Sequence, residues 1–529
     1  MSHLAELDEI PRPQVESTDN SDRRAHPHPK SSYPERLGRH GPVKTRPRDW
    51  QGNGSSELDQ WPYREVSRTS MEKANANEIG EGVFADRLGS FIEGSFQGPQ
   101  GPNNTTGNKI KEAKNMRLSS MLLALQGLLQ ASQASPTASN NELKPFHIDL
   151  SSKVPRMLDQ IHRTKLPDRP LYVDEGTAKG IGLKILKSLR NQWLTTFNWG
   201  REQRDLNKFN HYTAEIEGLD IHFIYQKSNA TDAIPLLLLH GWPGSFLEFA
   251  PIIQNLTQRA STAAGKSVSF DVIVPSLPGY AFSSVPPVDW TLADTARVFN
   301  TLLTDVLGYD TYATFGTDWG GGIAYALYDQ FNSTVRAAHL AFLPFYPWNS
   351  DQLAAANITL DTELERFEQE LAEEWTNTGE GYFVEQTTKP NTIGLALHDN
   401  PVGQLAWIGE KFLNWSDPNA GQAPSELTHN EILRSISLYY LTGSFASSVL
   451  TYAQNPNGFA TEYTKAHTDA PLLFSAFKYN VGFWPEALVA KVGNLVLYHN
   501  HESGGHFPGL DNPPALLADL REIATYWDA

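Results

Sequence analysis

Phe315-Gly316-Thr317-Asp318-Trp319-Gly320-Gly321-Gly322 decides how the rest of this chain is read. An apolar run, Tyr312-Ala313-Thr314-Phe315, enters G-x-D-x-G, and Ile323-Ala324-Tyr325-Ala326-Leu327 follows with helical character. A strand that turns into a helix between small residues lifts its central side chain clear of the sheet. Gly316 and Gly320 leave room for that turn. The raised residue is Asp318, so the attacking atom would be a carboxylate oxygen and the product an ester. The same pattern also describes a tight connection with a capping aspartate. The remainder of the chain has to separate the two readings.

Outward from this stretch, strands and helices alternate. Leu219 to Tyr225 alternates as a strand. Pro235 to Leu239 and Phe270 to Val274 are nearly continuous apolar runs, which suit a sheet covered on both faces. Helical stretches lie around Phe246 to Leu256 and Leu292 to Leu307, and Ala337 to Leu343 reads as the strand after the G-x-D-x-G helix. This order predicts an α/β fold with a mostly parallel sheet. Val154 to His162 and Ile181 to Trp193 add helices in front. Between Trp348 and Thr468 the alternation stops, and Leu360 to Trp375, Pro401 to Phe412 and Glu431 to Thr442 read as helices. An insertion there would cap the carboxyl ends of the strands, where ligands bind in open α/β sheets. Two strands, Leu472 to Phe477 and Asn494 to Tyr498, and a helix from Pro514 to Trp527 then close the fold.

Composition narrows the function. The 529 residues carry a net charge of −17, which argues against nucleic acid or an anionic membrane as partner. Hydrophobic residues make up 40% and aromatics 11%, enough for a sizeable core. With no cysteine, disulfides, thiolate catalysis and cysteine-ligated metals are excluded.

Residues 1–115 are rich in Pro, Ser, Asn and Gly with mixed charges, and no apolar period is long enough to bury a face. They read as a disordered tail. Residues 116–134 differ: a basic start, the apolar run Met121-Leu122-Leu123-Ala124-Leu125, then Leu128-Leu129 and a small-residue end. That is the anatomy of a secretory signal peptide, too short to span a bilayer stably. The expectation is that translation begins at Met116 and that the product is secreted or enters the secretory lumen. Sequons at Asn229, Asn255, Asn332, Asn357 and Asn414 fit a glycoprotein on that route.

Three further motifs carry chemistry. His240-Gly241-Trp242-Pro243-Gly244 follows an apolar strand, where a turn can aim a backbone N–H into the site. The N–H groups of Trp242 and Trp319 together would make an oxyanion hole. Gly504-Gly505-His506-Phe507 places a histidine late in the chain, after the last strand, where it suits a base that activates water. His499-x-His501 has metal-ligand character, but no third ligand stands at a sensible spacing, so no metal is expected.

His240-Gly241-Trp242-Pro243-Gly244-Ser245, Pro275-Ser276-Leu277-Pro278-Gly279-Tyr280, Gly316-Thr317-Asp318-Trp319-Gly320 and Gly504-Gly505-His506-Phe507 together resemble the microsomal-type epoxide hydrolases of the α/β-hydrolase fold. The likeness runs from about Lys144 to the C-terminus. Lys144-Pro145-Phe146 and Ile216 to Phe223 look like that family's N-terminal segment. The resemblance implies this division: an N-terminal segment at 144–230, a hydrolase core at 231–348 and 469–529, and a helical cap at 349–468.

It also implies roles. Asp318 attacks an epoxide carbon. Tyr382 and Tyr452, on the cap, hydrogen-bond the epoxide oxygen. His506 deprotonates the water that hydrolyses the ester, and the Trp242 and Trp319 N–H groups hold the oxyanion. The substrates implied are small apolar epoxides and water, the product a vicinal diol, the context detoxification, with no cofactor needed. One position departs from the family pattern. Its third catalytic residue is an Asp or Glu, but alignment through Phe474 to Phe477 puts Asn480 there, with Glu486 and Glu502 as substitutes. An amide lacks the charge that stabilises imidazolium. Two alternatives follow: a haloalkane dehalogenase, which shares the Asp nucleophile and His base, and a ligand-binding relative whose turnover is impaired by Asn480.

Overall fold

Nine strands form one sheet in the computed structural model, which describes residues 143–170, 172 and 179–527. The tail and signal-like segment read at 1–134 lie outside the described residues. The strands are β1 (Lys144–Phe146), β2 (His211–Ile216), β3 (Leu219–Gln226), β4 (Ile234–Leu239), β5 (Phe270–Pro275), β6 (Tyr312–Gly316), β7 (Val335–Leu340), β8 (Pro471–Tyr479) and β9 (Asn494–Gly505). Their order across the sheet is β1-β2-β3-β5-β4-β6-β7-β8-β9. β1, β2, β3 and β5 pair antiparallel, and every pair from β5 to β9 is parallel.

β4 and β6 lie at the centre. Leu236, Leu237, Leu238 and Leu239 are all fully buried, and Leu236 pairs with both Val272 and Ala313. Each buried leucine contributes about 1.5–3 kcal/mol relative to exposure. β4 is apolar on both faces because helices cover both. β5 and β6, its neighbours, end beside it, so the loops leaving β4 and β6 emerge together.

Helices α1 (Val154–Arg163), α2 (Leu183–Thr195) and α3 (Trp199–Leu206) precede β2. α4 (Ala250–Thr257) and α5 (Leu292–Thr301) are the crossovers before β5 and β6, and α6 (Asp318–Gln330) leaves β6. The single helices expected around 246–256 and 292–307 are each divided. A short 3-10 turn, Phe246–Phe249, leads into α4, and a π turn, Leu302–Val306, ends α5.

Between β7 and β8 the chain is helical: α7 (Glu363–Thr378), α8 (Gly381–Thr388), α9 (Pro390–Leu397), α10 (Pro401–Asn414), α11 (His429–Thr442) and α12 (Leu450–Gln454). α7 begins with a full capping box, Thr362 with Glu365. α11 ends at Gly443 in the left-handed conformation. The closing helix is interrupted: α13 (Pro513–Arg521) is followed by a short turn, Ile523–Tyr526. Among the described residues no helix is long and apolar enough to cross a membrane.

Candidate active site

Asp318 is the first residue of α6, and its φ is +50°. A side chain other than glycine in that region is strained by roughly 1–3 kcal/mol. The crowding around it explains why the turn persists. A Cβ on Gly320 would lie 2.2 Å from the Leu239 carbonyl oxygen, so β4 and the start of α6 touch backbone to backbone. Leu239 is the last residue of β4, and the next five residues are the HGWPG loop. The Trp242 N–H donates to Asp318 Oδ1 at 2.7 Å. Gly241 is required by the same contact, because its Cβ would sit 2.0 Å from Oδ1. Trp319 is the second residue of α6, so its N–H has no partner one helical turn back.

The loop is held from three sides. His240 Nδ1 lies 2.9 Å from the Gly241 carbonyl, and His240 Nε2 accepts the Leu277 N–H at 3.2 Å. Burial holds His240 down to about 4, which keeps this tautomer neutral. Tyr439, on α11, donates its hydroxyl to the Gly244 carbonyl at 2.8 Å. Glu248 lies beneath: its Oε2 comes within 3.0 Å of the place a Gly244 Cβ would take, and Oε1 has no hydrogen-bond partner among the described residues. Burial, with the Asp318 charge adding to it, pushes the Glu248 carboxyl well up, so it is a neutral acid.

His506 follows β9 directly. Its Nε2 is 3.5 Å from Asp318 Oδ2 and makes no hydrogen bond among the described residues. Its Nδ1 is 2.8 Å from Asn480 Oδ1. Its backbone N–H donates to the Trp415 carbonyl at 2.7 Å, and the Trp415 and Phe342 rings meet the imidazole edge-on. Asn480 is pinned in turn. Its Oδ1 accepts the Val481 N–H at 2.9 Å, and its Nδ2 donates to the Ala341 carbonyl at 3.2 Å. Turning the amide over would set two N–H groups against each other and two oxygens against each other. The oxygen therefore faces His506 and requires a proton on Nδ1, so the neutral tautomer compatible with this contact is the one whose lone pair is at Nε2. The substitutes named from the sequence are elsewhere: Glu486 and Glu502 are both exposed, and Glu502 pairs with Lys478 at 3.1 Å.

Tyr382, on α8, and Tyr452, on α12, are buried over Asp318. The Tyr382 ring stacks on Trp242 at 5.2 Å, and the Tyr452 ring meets Trp319 edge-on at 4.9 Å. The Tyr452 hydroxyl has no hydrogen-bond partner among the described residues. Burial pushes both phenols well up; the Asp318 charge adds to this, for Tyr452 after the neighbouring Tyr382. Both therefore remain O–H donors at neutral pH. Behind Tyr382, the buried Lys411 sets its Nζ 4.7 Å from the ring centre and pairs with Glu410 at 2.9 Å. Lys411, Tyr439 and Glu248 had no signal of their own in the sequence; His240 stood in the HGWPG motif, but its part in holding the loop did not show there. Each acts through the fold, from a position defined only once the cap and loop have met.

A narrow cavity opens on this group. Asp318, Tyr382, Tyr452 and Glu380 are on its wall, and Trp319, Phe342, Trp375, Phe383 and Phe459 make much of the remainder aromatic. The carboxylate and the two phenols thus line an apolar chamber, and the His506 imidazole and the Trp242 N–H meet the carboxylate beside it.

Known proteins share this arrangement of sequence and fold. Residues 143–249 match the family described as Epoxide hydrolase N terminus, and residues 234–378 match the alpha/beta hydrolase fold. Epoxide hydrolase 1 of Sus scrofa is 32% identical over 413 residues, covering 73% of this chain and 90% of that protein. The structure of Aspergillus niger epoxide hydrolase is 32% identical, covers 74% of this chain and 98% of that one, and superposes with a TM-score of 0.63. Juvenile hormone epoxide hydrolase from the silkworm Bombyx mori is 26% identical, with a TM-score of 0.65, and covers 74% of this chain and 96% of that one. With sequence motifs, sheet order and these relatives in agreement, the chain belongs to the microsomal-type epoxide hydrolase family of the α/β-hydrolase fold.

Proposed function

We propose that the protein converts an epoxide and water to a vicinal diol through an ester on Asp318. The carrying observation is that Asp318 Oδ1 takes the Trp242 N–H while Oδ2 faces His506 Nε2. In this reading the free Oδ2 attacks an epoxide carbon. The C–O bond breaks, and its electron pair goes to the epoxide oxygen, hydrogen-bonded by Tyr382 and Tyr452. Oδ1 becomes the ester carbonyl oxygen, already in its hole. A water gives its proton to His506 Nε2 and adds to the ester carbon. The tetrahedral oxyanion rests on the Trp242 N–H, joined by that of Trp319. As the ester C–O bond breaks, the proton from His506 goes to the departing diol oxygen, and the water's second proton, left on the Asp318 carboxyl, restores the phenol that has protonated the epoxide oxygen.

Two phenols over the nucleophile support an epoxide over a haloalkane. A leaving halide is served by N–H donors, whereas an alkoxide takes a hydrogen bond and then a proton from an O–H. Parallel assays with styrene oxide and a haloalkane, using Asp318→Asn as control, test the reading. Diol formation that survives the substitution rules out this nucleophile.

A secretory route is part of the same proposal. Asn229, Asn255, Asn332 and Asn357 are exposed, which supports glycosylation there. N-terminal sequencing of the natural protein and a mass shift on glycosidase treatment test it; a mature start upstream of Met116 ends the idea.

A further inference from the structure

We propose that His499, His501 and Asp519 form a binding site for one borderline divalent cation, Zn²⁺ by preference, at the edge of the sheet. The site lies outside the catalytic chamber, and its existence does not depend on the epoxide chemistry.

The fold supplies the third ligand that the sequence spacing did not. His499 and His501, two residues apart on β9, share one face of the edge strand. Asp519 reaches them from α13, eighteen positions further on. His499 Nδ1 is 2.6 Å from Asp519 Oδ1, and His501 Nε2 is 2.6 Å from Asp519 Oδ2. The three ligand atoms all lie within 4.8 Å of one another. The carboxylate is buried and fixed from behind: the Ser475 hydroxyl donates to Asp519 Oδ2 at 2.5 Å, and His339 Nε2 lies 2.8 Å from that hydroxyl. Fixing a ligand through a second layer of hydrogen bonds is how metal sites are oriented.

The donor set selects the ion. Two imidazole nitrogens and one carboxylate suit zinc and its neighbours; magnesium and calcium prefer all-oxygen sites. Ligands about 2.0–2.2 Å from zinc stand about 3.3 Å apart, so the present spacing has to open. His499 can open it, because its side chain is 42% exposed. The same exposure leaves a side for water to complete a tetrahedron. The protons now between each imidazole and Asp519 would move to the opposite ring nitrogen or to solvent, and the cation would take their place. Affinity should therefore fall as the imidazoles become protonated.

The consequence is mechanical. β9 ends one residue before His506, and α13 begins seven residues after it. A cation bridging the two closes both flanks of the segment that carries the base.

The test uses the full chain stripped with chelator and then given ZnCl₂ alone. Bound zinc after gel filtration and the midpoint of thermal unfolding are compared with those of a His499→Gln/His501→Gln double variant. Histidines elsewhere, such as His26 and His28, are common to both chains and cancel. The expected result is one more zinc per chain in the wild type, with a rise in Tm on zinc addition that the double variant lacks. X-ray absorption should show imidazole and oxygen neighbours, and MgCl₂ should do neither. Should the double variant misfold, His499→Gln decides, since that residue is partly exposed: zinc affinity should weaken by about 10-fold or more. Equal zinc content in the two chains, or an affinity unchanged in His499→Gln, overturns the proposal.

Discussion

Asn480 Oδ1 sits 2.8 Å from His506 Nδ1, where the family pattern has a carboxylate. The amide is locked by Val481 and Ala341, so it still selects the tautomer that leaves Nε2 free. Only the negative charge is missing. Orientation and charge, which one aspartate supplies together, are thereby separated in this protein.

The first prediction concerns that charge. His506 becomes positive while the ester is being hydrolysed, not while it is being formed. Ester hydrolysis is therefore expected to be the slow step, and Asn480→Asp should raise steady-state turnover by about 10-fold. A carboxylate favours the protonated imidazole, so the acid limb of the rate profile should move to higher pH. The new oxygen would also face the Ala341 carbonyl in place of an N–H, which should lower stability by about 1–3 kcal/mol. Turnover against pH, with a melting curve beside it, checks all three. An unchanged rate would show that the charge is not limiting.

The second concerns the phenols. Burial pushes Tyr382 and Tyr452 up, so neither should ionise below about pH 10. The rate of ester formation should be flat from about pH 8 to 10 in single-turnover experiments. Each Tyr→Phe change should slow ester formation by about 10²-fold, and ester hydrolysis far less.

How far the site was legible follows from these residues. Asp318, Trp242 and His506 sit in short glycine-bearing motifs, and a glycine needed for close approach leaves a mark in sequence. Gly241 shows the reason, with no space for a Cβ against Asp318. Strands β4 and β5 were legible because both their faces are buried. β2 was not, since His211-Tyr212-Thr213-Ala214-Glu215-Ile216 is mostly polar and takes its place by pairing with β3. α3 was missed for a similar reason: its buried face is only Trp199, Glu202 and Leu206. β9 runs seven residues beyond the expected Tyr498, because His499, Asn500 and His501 pair with β8 and find polar partners. Asp519 could not be joined to the histidine pair without knowing where the last helix lies.

The third prediction tests the close approach itself. Gly241→Ala would place a methyl 2.0 Å from Asp318 Oδ1, so the loop must move away from the nucleophile. Ester hydrolysis should fall by more than about 10²-fold, since one lost oxyanion donor alone costs that much. Single-turnover kinetics alongside circular dichroism would separate this from misfolding.

The fourth concerns the cap. Glu368, on α7, accepts the Asn500 Nδ2–H at 2.7 Å across to β9, and its Oε1 has no hydrogen-bond partner among the described residues. Burial pushes this carboxyl up to about 8. An acid whose folded value lies above its unfolded value binds more protons when folded, so stability falls as pH rises between the two. Wild-type Tm should decline between about pH 5 and 8 relative to Glu368→Gln, which cannot ionise. Parallel melting curves across that range would show no divergence if Glu368 were ionised throughout.

The most direct test of the account is intact-mass analysis of a His506→Gln variant under saturating styrene oxide, followed by peptide mapping. A stable adduct of one substrate mass is expected on the peptide containing Asp318, absent from Asp318→Asn. No adduct, or an adduct on another residue, would contradict it.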